Sequence, residues 1–194
     1  ASESALDGEA GLFAAMGKRA AANDVRLFDG EPEILAVYHK PVPACNFAQT
    51  PSQAALRIAR ERKIPPRSIA SIRIRVPRAG ALYPGCDSRG PFAHVLQAKM
   101  SIQFNVAAAL IEGEVTERNF SRLGDPELVS LIGRTTLEVD DALTLAYPGQ
   151  QGAEVEITET GGAMHFLFSS TNAGSAATSG RRGRGSSTGR SAMI

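Results

Sequence analysis

In the stretch "SIRIRV", residues 71–76, side-chain character alternates without a break. Ile72, Ile74 and Val76 fall on one side, and Ser71, Arg73 and Arg75 on the other. A period of two is that of an extended strand, and this strand can bury only one of its faces. The sheet that contains it therefore has one side for apolar packing and one side for water. No other feature of the chain restricts the fold as much.

Partners for that strand are at hand. "TTLEVD", "AEVEIT" and "AMHFLF" are rich in β-branched and aromatic residues, and Thr160-Gly161-Gly162 between the last two predicts a hairpin. The expected sheet holds 70–76, 134–139, 154–159 and 163–168, and Ile34–Tyr38 is a further expected strand. Helical spacing appears over 51–62, where Ala54, Ala55, Ile58 and Ala59 share a face. Thr50-Pro51 is expected to open this helix as N-cap and first-turn proline, and "KIPPRS" to close it. "SIQFNVAAALIEG" predicts the strongest helix, 101–112, with Ile102, Val106, Ala109 and Leu110 on one side and Gly113 at its end. Asp125-Pro126 opens another over 125–132, while 77–92, rich in Gly and Pro, is expected to be a long loop. This order of elements predicts an α+β fold, a largely antiparallel sheet with helices packed on one face.

The two ends differ from the body. Leu12, Phe13 and Met16 suit a short amphipathic helix bracketed by Gly11 and Gly17, too short to bury its apolar side alone. The chain starts without methionine, so this piece is expected to be the end of something larger. From Ser169 the sequence is mostly Ser, Gly, Thr, Ala and Arg with scarcely a large apolar residue, the composition of a disordered tail or of translation in a shifted frame. Of the 21 basic residues, Arg181, Arg182, Arg184 and Arg190 lie in that tail. The 17 that remain face 20 acidic residues, so the body is mildly acidic. Nothing in it calls for a nucleic-acid or anionic-membrane partner. With no secretory leader in view, Cys45 and Cys86 are expected to be free thiols of a cytoplasmic protein.

No metal or nucleotide motif is present: the chain lacks CxxC, HExxH, a P-loop and GxGxxG. Its histidines, His39, His94 and His165, are scattered. His165, between Met164 and Phe166 on a strand, is expected to face solvent in a structural role. The concentration of polar groups lies instead in "KPVPACNFAQT", residues 40–50, where a strand is expected to end and a helix to begin. Side chains and helix N–H groups meet on one rim there, a place where an anion could lie.

"YHKPVPACNFAQTPSQAALRIA" resembles the segment that opens the smaller domain of the MmgE/PrpD family. That family includes 2-methylcitrate dehydratase, cis-aconitate decarboxylase and iminodisuccinate epimerase. "AKMSIQFNVAAALIEGEVTERNF" resembles a second stretch of the same domain, and "LDGEAGLFAAM" the last piece of the family's large helical domain. The three matches run in the family's order over about residues 5–165. The resemblance implies a remnant of an all-helical domain over 1–33, the small α+β domain over 34–168 and a tail over 169–194. It also implies a metal-free, cofactor-free site between a helical domain and this one. Its substrate would be a small di- or tricarboxylate, and its chemistry proton removal beside a carboxylate. Dehydration, decarboxylation or epimerisation would follow. The expected partners are that substrate and a homo-oligomeric copy or a separate helical domain.

By the same resemblance Lys40 is the candidate catalytic residue. An ammonium at a strand end can hold a carboxylate and steady the enolate-like charge that builds on proton abstraction; the alternative is a solvated lysine beside a turn. His39, Gln49, Ser101 and Gln103 are the candidate substrate-binding residues. Gln49 stands where many members have histidine, so no proton-transfer role carries over to it; it either meets substrate or caps the helix. Ser101 is either a carboxylate cradle or an ordinary N-cap. Phe104 replaces a frequent tyrosine and Met100 a histidine found in some members, which leaves the epimerase-like subgroup more open than the dehydratases and decarboxylases. The alternative to an enzyme is a non-catalytic truncated or degenerate relative that lacks the helical domain.

Overall fold

The computed structural model describes residues 5–6, 8–9, 11–15 and 39–172. The expected strand at Ile34–Tyr38, most of the expected helical remnant and the tail beyond Asn172 lie outside those residues. The chain divides into two compact units, Ala1–Val37 and Tyr38–Ile194. In the first, helix α1 (Leu12–Ala15) follows a turn in which Leu12 N–H donates to the Ala5 carbonyl.

The second unit has the α+β architecture. After a 3-10 turn at Asn46–Ala48 come helix α2 (Gln49–Arg62) and strand β1 (Ile69–Val76). Helices α3 (Arg78–Ala81), α4 (Val95–Met100), α5 (Ile102–Glu112) and α6 (Pro126–Gly133) follow. Strand β2 (Thr135–Val139), helix α7 (Asp141–Ala146) and strands β3 (Gln150–Glu159) and β4 (Met164–Asn172) complete it. The strand order is β2-β1-β3-β4. β1 pairs with β2 in parallel, and the β1–β3 and β3–β4 pairs are antiparallel.

The alternation in "SIRIRV" sorts the sheet as expected. Ile72, Ile74 and Val76 are buried beside Ala153, Val155 and Ile157 of β3. A register shift between Ile69 and Ser71 inserts a bulge at Ala70, which returns Ile69 to the buried face. On the wet face Arg73 and Arg75 stand between acids of both neighbouring strands. Arg73 reaches Glu138 at 3.5 Å and Glu156 at 3.6 Å, while Arg75 pairs with Glu154 and reaches Glu156 at 3.6 Å. Opposite charges facing each other across strands favour this register.

α2 packs on the buried face against β3 and β4, and α5 lies beside it. The sequence gives α5 one apolar side, but every residue from Ile102 to Leu110 is buried. The helix is enclosed all round, the position its mostly apolar composition suits. Phe104 stacks on Phe120 with ring centroids 5.6 Å apart and meets Phe92 edge-on at 5.3 Å.

Several boundaries differ from expectation. Thr50 is not an N-cap: the 3-10 turn feeds directly into α2, Ala48 occupies the cap position, and Thr50 is buried in the first turn. Pro51 is tolerated because the first-turn N–H groups have no intrahelical partner in any case. The expected loop 77–92 contains α3, and α7 was not foreseen; Asp140 caps it by accepting from Leu143 N–H at 2.9 Å. β3 begins at Gln150, and β4 continues through Asn172, past the Ser169 at which composition places the tail. The ladder Gln150↔Asn172 to Ala153↔Ser169 extends the strand by backbone pairing, and Gln150 Nε2 donates to Ser170 Oγ at 3.0 Å across it. His165 is also corrected. It lies opposite buried Ile157, and its Nε2 meets Glu159 Oε1 at 2.8 Å, while Met164, Phe166 and Phe168 are the exposed large apolar residues of β4.

Ile74 is fully buried in the centre of the sheet. Ile74→Ala is expected to lower unfolding stability by about 2–5 kcal/mol, whereas Phe166→Ala on the exposed face costs much less. Urea unfolding of the two variants against the parent chain measures the difference.

Candidate functional site

The polar junction forms around the turn Pro41–Ala44. Gln49, at the start of α2, is 2 % exposed and turns back under it. Its Nε2 donates to the carbonyls of Val42 and Ala44, both at 3.0 Å, and to that of Cys45 at 3.2 Å; its Oε1 accepts from Val42 N–H at 3.2 Å. One side-chain amide thus satisfies the Val42 N–H and adds a second donor to carbonyls of a turn that two prolines keep out of regular structure. Of the two roles the sequence leaves open for Gln49, neither is what the structure shows: its amide supports the turn.

Asn46 ties the same turn to the sheet. Its Nδ2 donates to Gln151 Oε1 at 3.1 Å, and its carbonyl accepts from Gln151 Nε2 at 2.8 Å. Phe47 lies between the rings of Tyr83 and Tyr147, at 5.4 and 5.8 Å. A Cβ at Gly80 would stand 3.1 Å from the Phe47 ring, so glycine lets α3 close over it.

Ser101 is the N-cap of α5. Its Oγ accepts from Phe104 N–H at 3.0 Å and donates to the Ser88 carbonyl at 2.5 Å. The N–H of Ile102 is taken by the Cys86 carbonyl at 2.9 Å. Fully buried and engaged at both ends, the Ser101 hydroxyl caps the helix rather than facing a ligand. Gln103, also fully buried, donates to Asp87 Oδ1 at 2.5 Å and accepts from Ser88 N–H at 3.3 Å. Asn105 continues the pattern one step deeper, donating to the carbonyls of Ala98 and Ser101 at 3.0 and 2.7 Å. Sequence reasoning passed over Asn105 and Asn46; a polar residue inside an apolar helix was the available signal for the first.

Lys40 and His39 are on the outside. Both are exposed, and Lys40 Nζ stands 3.5 Å from the Ala44 carbonyl across the turn that Gln49 supports. The structure therefore separates the candidates into an exposed pair, His39 and Lys40, and a buried set, Gln49, Ser101 and Gln103, that holds the surrounding loops. Among the described residues no cluster of three His, Cys, Asp or Glu could hold a metal ion.

Between the two sets lie the cysteines, not bonded to each other, with sulfurs 3.6 Å apart. The Cys86 thiol as hydrogen-bond donor lowers the pKa of Cys45 to about 6. Burial opposes this, and the Phe47 and Ala48 amides and the Lys40 charge reinforce it. The proton stays on Cys86, whose pKa is raised by its bond to Cys45, by burial and by the Cys45 charge.

An α+β domain whose helices cover one face of a four-stranded sheet, with a lysine displayed on a braced turn ahead of the first long helix, is the class these features define. The family model for the MmgE/PrpD C-terminal domain matches residues 42–179, and the chain belongs to the MmgE/PrpD family. His39 and Lys40 stand just ahead of the matched segment. No curated protein matches the chain. Among the described residues no helix is long and apolar enough to cross a membrane.

Two measurements follow from this geometry. Gln49→Ala leaves the buried Val42 N–H without its partner and takes one of two partners from the Val42, Ala44 and Cys45 carbonyls, and is expected to cost ~1–3 kcal/mol in chemical denaturation. Alkylation of Cys45 by iodoacetamide is expected to rise as pH rises through about 6 and to level off by neutrality. Cys86 should label only on unfolding.

Proposed function

We propose that the chain is the carboxylate-holding part of a MmgE/PrpD-type enzyme. Its substrate is a small di- or tricarboxylate, from which a proton is removed beside a carboxylate, with dehydration, decarboxylation or epimerisation as the outcome. Lys40 holds the substrate carboxylate and steadies the negative charge that develops on the adjacent carbon. The observation that carries this reading is the exposed ammonium of Lys40 on a turn whose backbone is fixed from beneath by Gln49. A braced turn adds little backbone ordering to the cost of binding an anion. His39 is the second exposed candidate for substrate contact. Gln49, Ser101 and Gln103 act through the loops they hold, since their own polar atoms are occupied.

The alternative reading, a non-catalytic relative, draws on a specific observation. A pocket among the described residues, lined by Ala108, Glu112, Asn119, Arg122 and Asp125, contains none of the candidate residues. Proton transfer would then need groups from a helical domain or a second copy of the chain, both of which belong to the enzyme reading as partners.

A charge-assisted hydrogen bond of this kind is worth ~1.5–3 kcal/mol. Lys40→Ala is therefore expected to weaken binding or turnover of small polycarboxylates by ~10- to 150-fold in an assembly that includes a helical domain. Lys63→Ala, at the exposed end of α2, should change little. Equal and small losses for both lysines would reduce Lys40 to a surface charge, and no turnover by any assembly would favour the non-catalytic relative.

A further inference from the structure

Cys45 and Cys86 lie 41 positions apart in sequence, yet their sulfurs are 3.6 Å apart. We propose that these two thiols are a hydroperoxide-responsive pair, closing reversibly into an intramolecular disulfide that ties the Lys40 turn to the loop before α4. The proposal does not depend on the substrate chemistry suggested above.

The two cysteines are placed for different parts. Cys45 is partly exposed and can meet a small oxidant; Cys86 is fully buried and has Cys45 within reach. Their backbones are pinned to the same piece of structure. Cys45 N–H donates to the Lys99 carbonyl at 2.9 Å, Cys86 N–H to the Tyr83 carbonyl at 3.0 Å, and the Cys86 carbonyl accepts from Ile102 N–H. The sulfurs therefore cannot drift far apart. A disulfide needs a separation of about 2.0 Å, which side-chain rotation and a small shift of the loop can supply. The Cys86 thiol as donor, and after it the Phe47 amide, the Lys40 charge and the Ala48 amide, favour the thiolate at Cys45, which is the form that attacks a peroxide.

In the first step the Cys45 thiolate attacks one oxygen of the hydroperoxide. An S–O bond forms and the O–O bond breaks; sulfur gives up two electrons, and the departing oxygen takes a proton from water. This leaves a sulfenic acid on Cys45. The negative charge that kept the proton on Cys86 is then gone. The Cys86 sulfur attacks the Cys45 sulfur, the S–S bond forms, the S–O bond breaks, and hydroxide leaves as water with the Cys86 proton. Two thiols and one hydroperoxide give a disulfide, water and an alcohol, or a second water from hydrogen peroxide. With the second thiol already adjacent, the pair should close before a further peroxide carries Cys45 to the sulfinic acid.

The test is treatment of the full chain with stoichiometric hydrogen peroxide, alkylation of remaining thiols, and peptide mapping by mass spectrometry. A Cys45–Cys86 cross-linked peptide is expected as the main product, with the intact chain lighter by two hydrogens and restored by dithiothreitol. Cys86→Ser should stop at a Cys45 sulfenic acid that dimedone traps, and Cys45→Ser should leave Cys86 reduced. The map of the parent chain decides the matter even if either variant fails to fold. Sulfinic acid on Cys45 beside reduced Cys86, disulfides only between chains, or both thiols unchanged would each overturn the proposal.

Discussion

The enclosure of α5 is the constraint from which the rest of the second unit follows. A helix buried from Ile102 to Leu110 cannot leave Gln103 or Asn105 to water, nor the Ser101 cap at its start. Each must find its hydrogen-bond partner within the protein. Those partners belong to the chain just before α5: Asp87 and Ser88 of the loop for Gln103, Ser88 for Ser101, and Ala98 of α4 for Asn105. The chain between β1 and α5, rich in Gly and Pro and poor in regular structure, is given its path by these bonds. The same junction receives Cys45 N–H through the Lys99 carbonyl, which brings the Lys40 turn onto it.

Much of the fold was legible because it rests on local patterns. The alternation in "SIRIRV", the Asp125-Pro126 helix start and the Thr160-Gly161-Gly162 turn each express a backbone preference within a few residues. Asp125 does cap α6, accepting from Glu127 and Leu128 N–H at 3.0 and 3.1 Å. What failed was set at a distance. Thr50 carries the composition of a cap, but the 3-10 turn ahead of it moves the helix start. Ser169 to Asn172 have the composition of a tail, but β3 offers them a ladder. His165 was assigned to solvent by its neighbours, while the register places it on the packed face.

The candidate site was legible in part, and for a similar reason. The sequence marks residues 40–50 as a dense polar segment, and the structure makes it one hydrogen-bonded junction. It does not reveal which polar atoms are spent inside. Gln49 as a substrate contact and Gln49 as a brace have the same one-dimensional signature; only the three carbonyls gathered around its Nε2 separate them. The approach of Cys45 to Cys86 is likewise invisible in a spacing of 41 residues.

The strand order carries a consequence for assembly. β1 lies between β2 and β3, and both partners arrive late in the chain, Ile72 pairing with Thr135 on one edge and with Ile157 on the other. β3 and β4 can meet as a local hairpin, but the centre of the sheet must wait for the helices in between. Such long-range closures are slow and yield their contacts only when nearly complete. The second unit is therefore one cooperative body in which β1 has no strand partner until the last third of the chain is in place. A chain broken anywhere between Val76 and Gln150 would leave the Lys40 turn without the sheet that anchors it through Asn46 and Gln151.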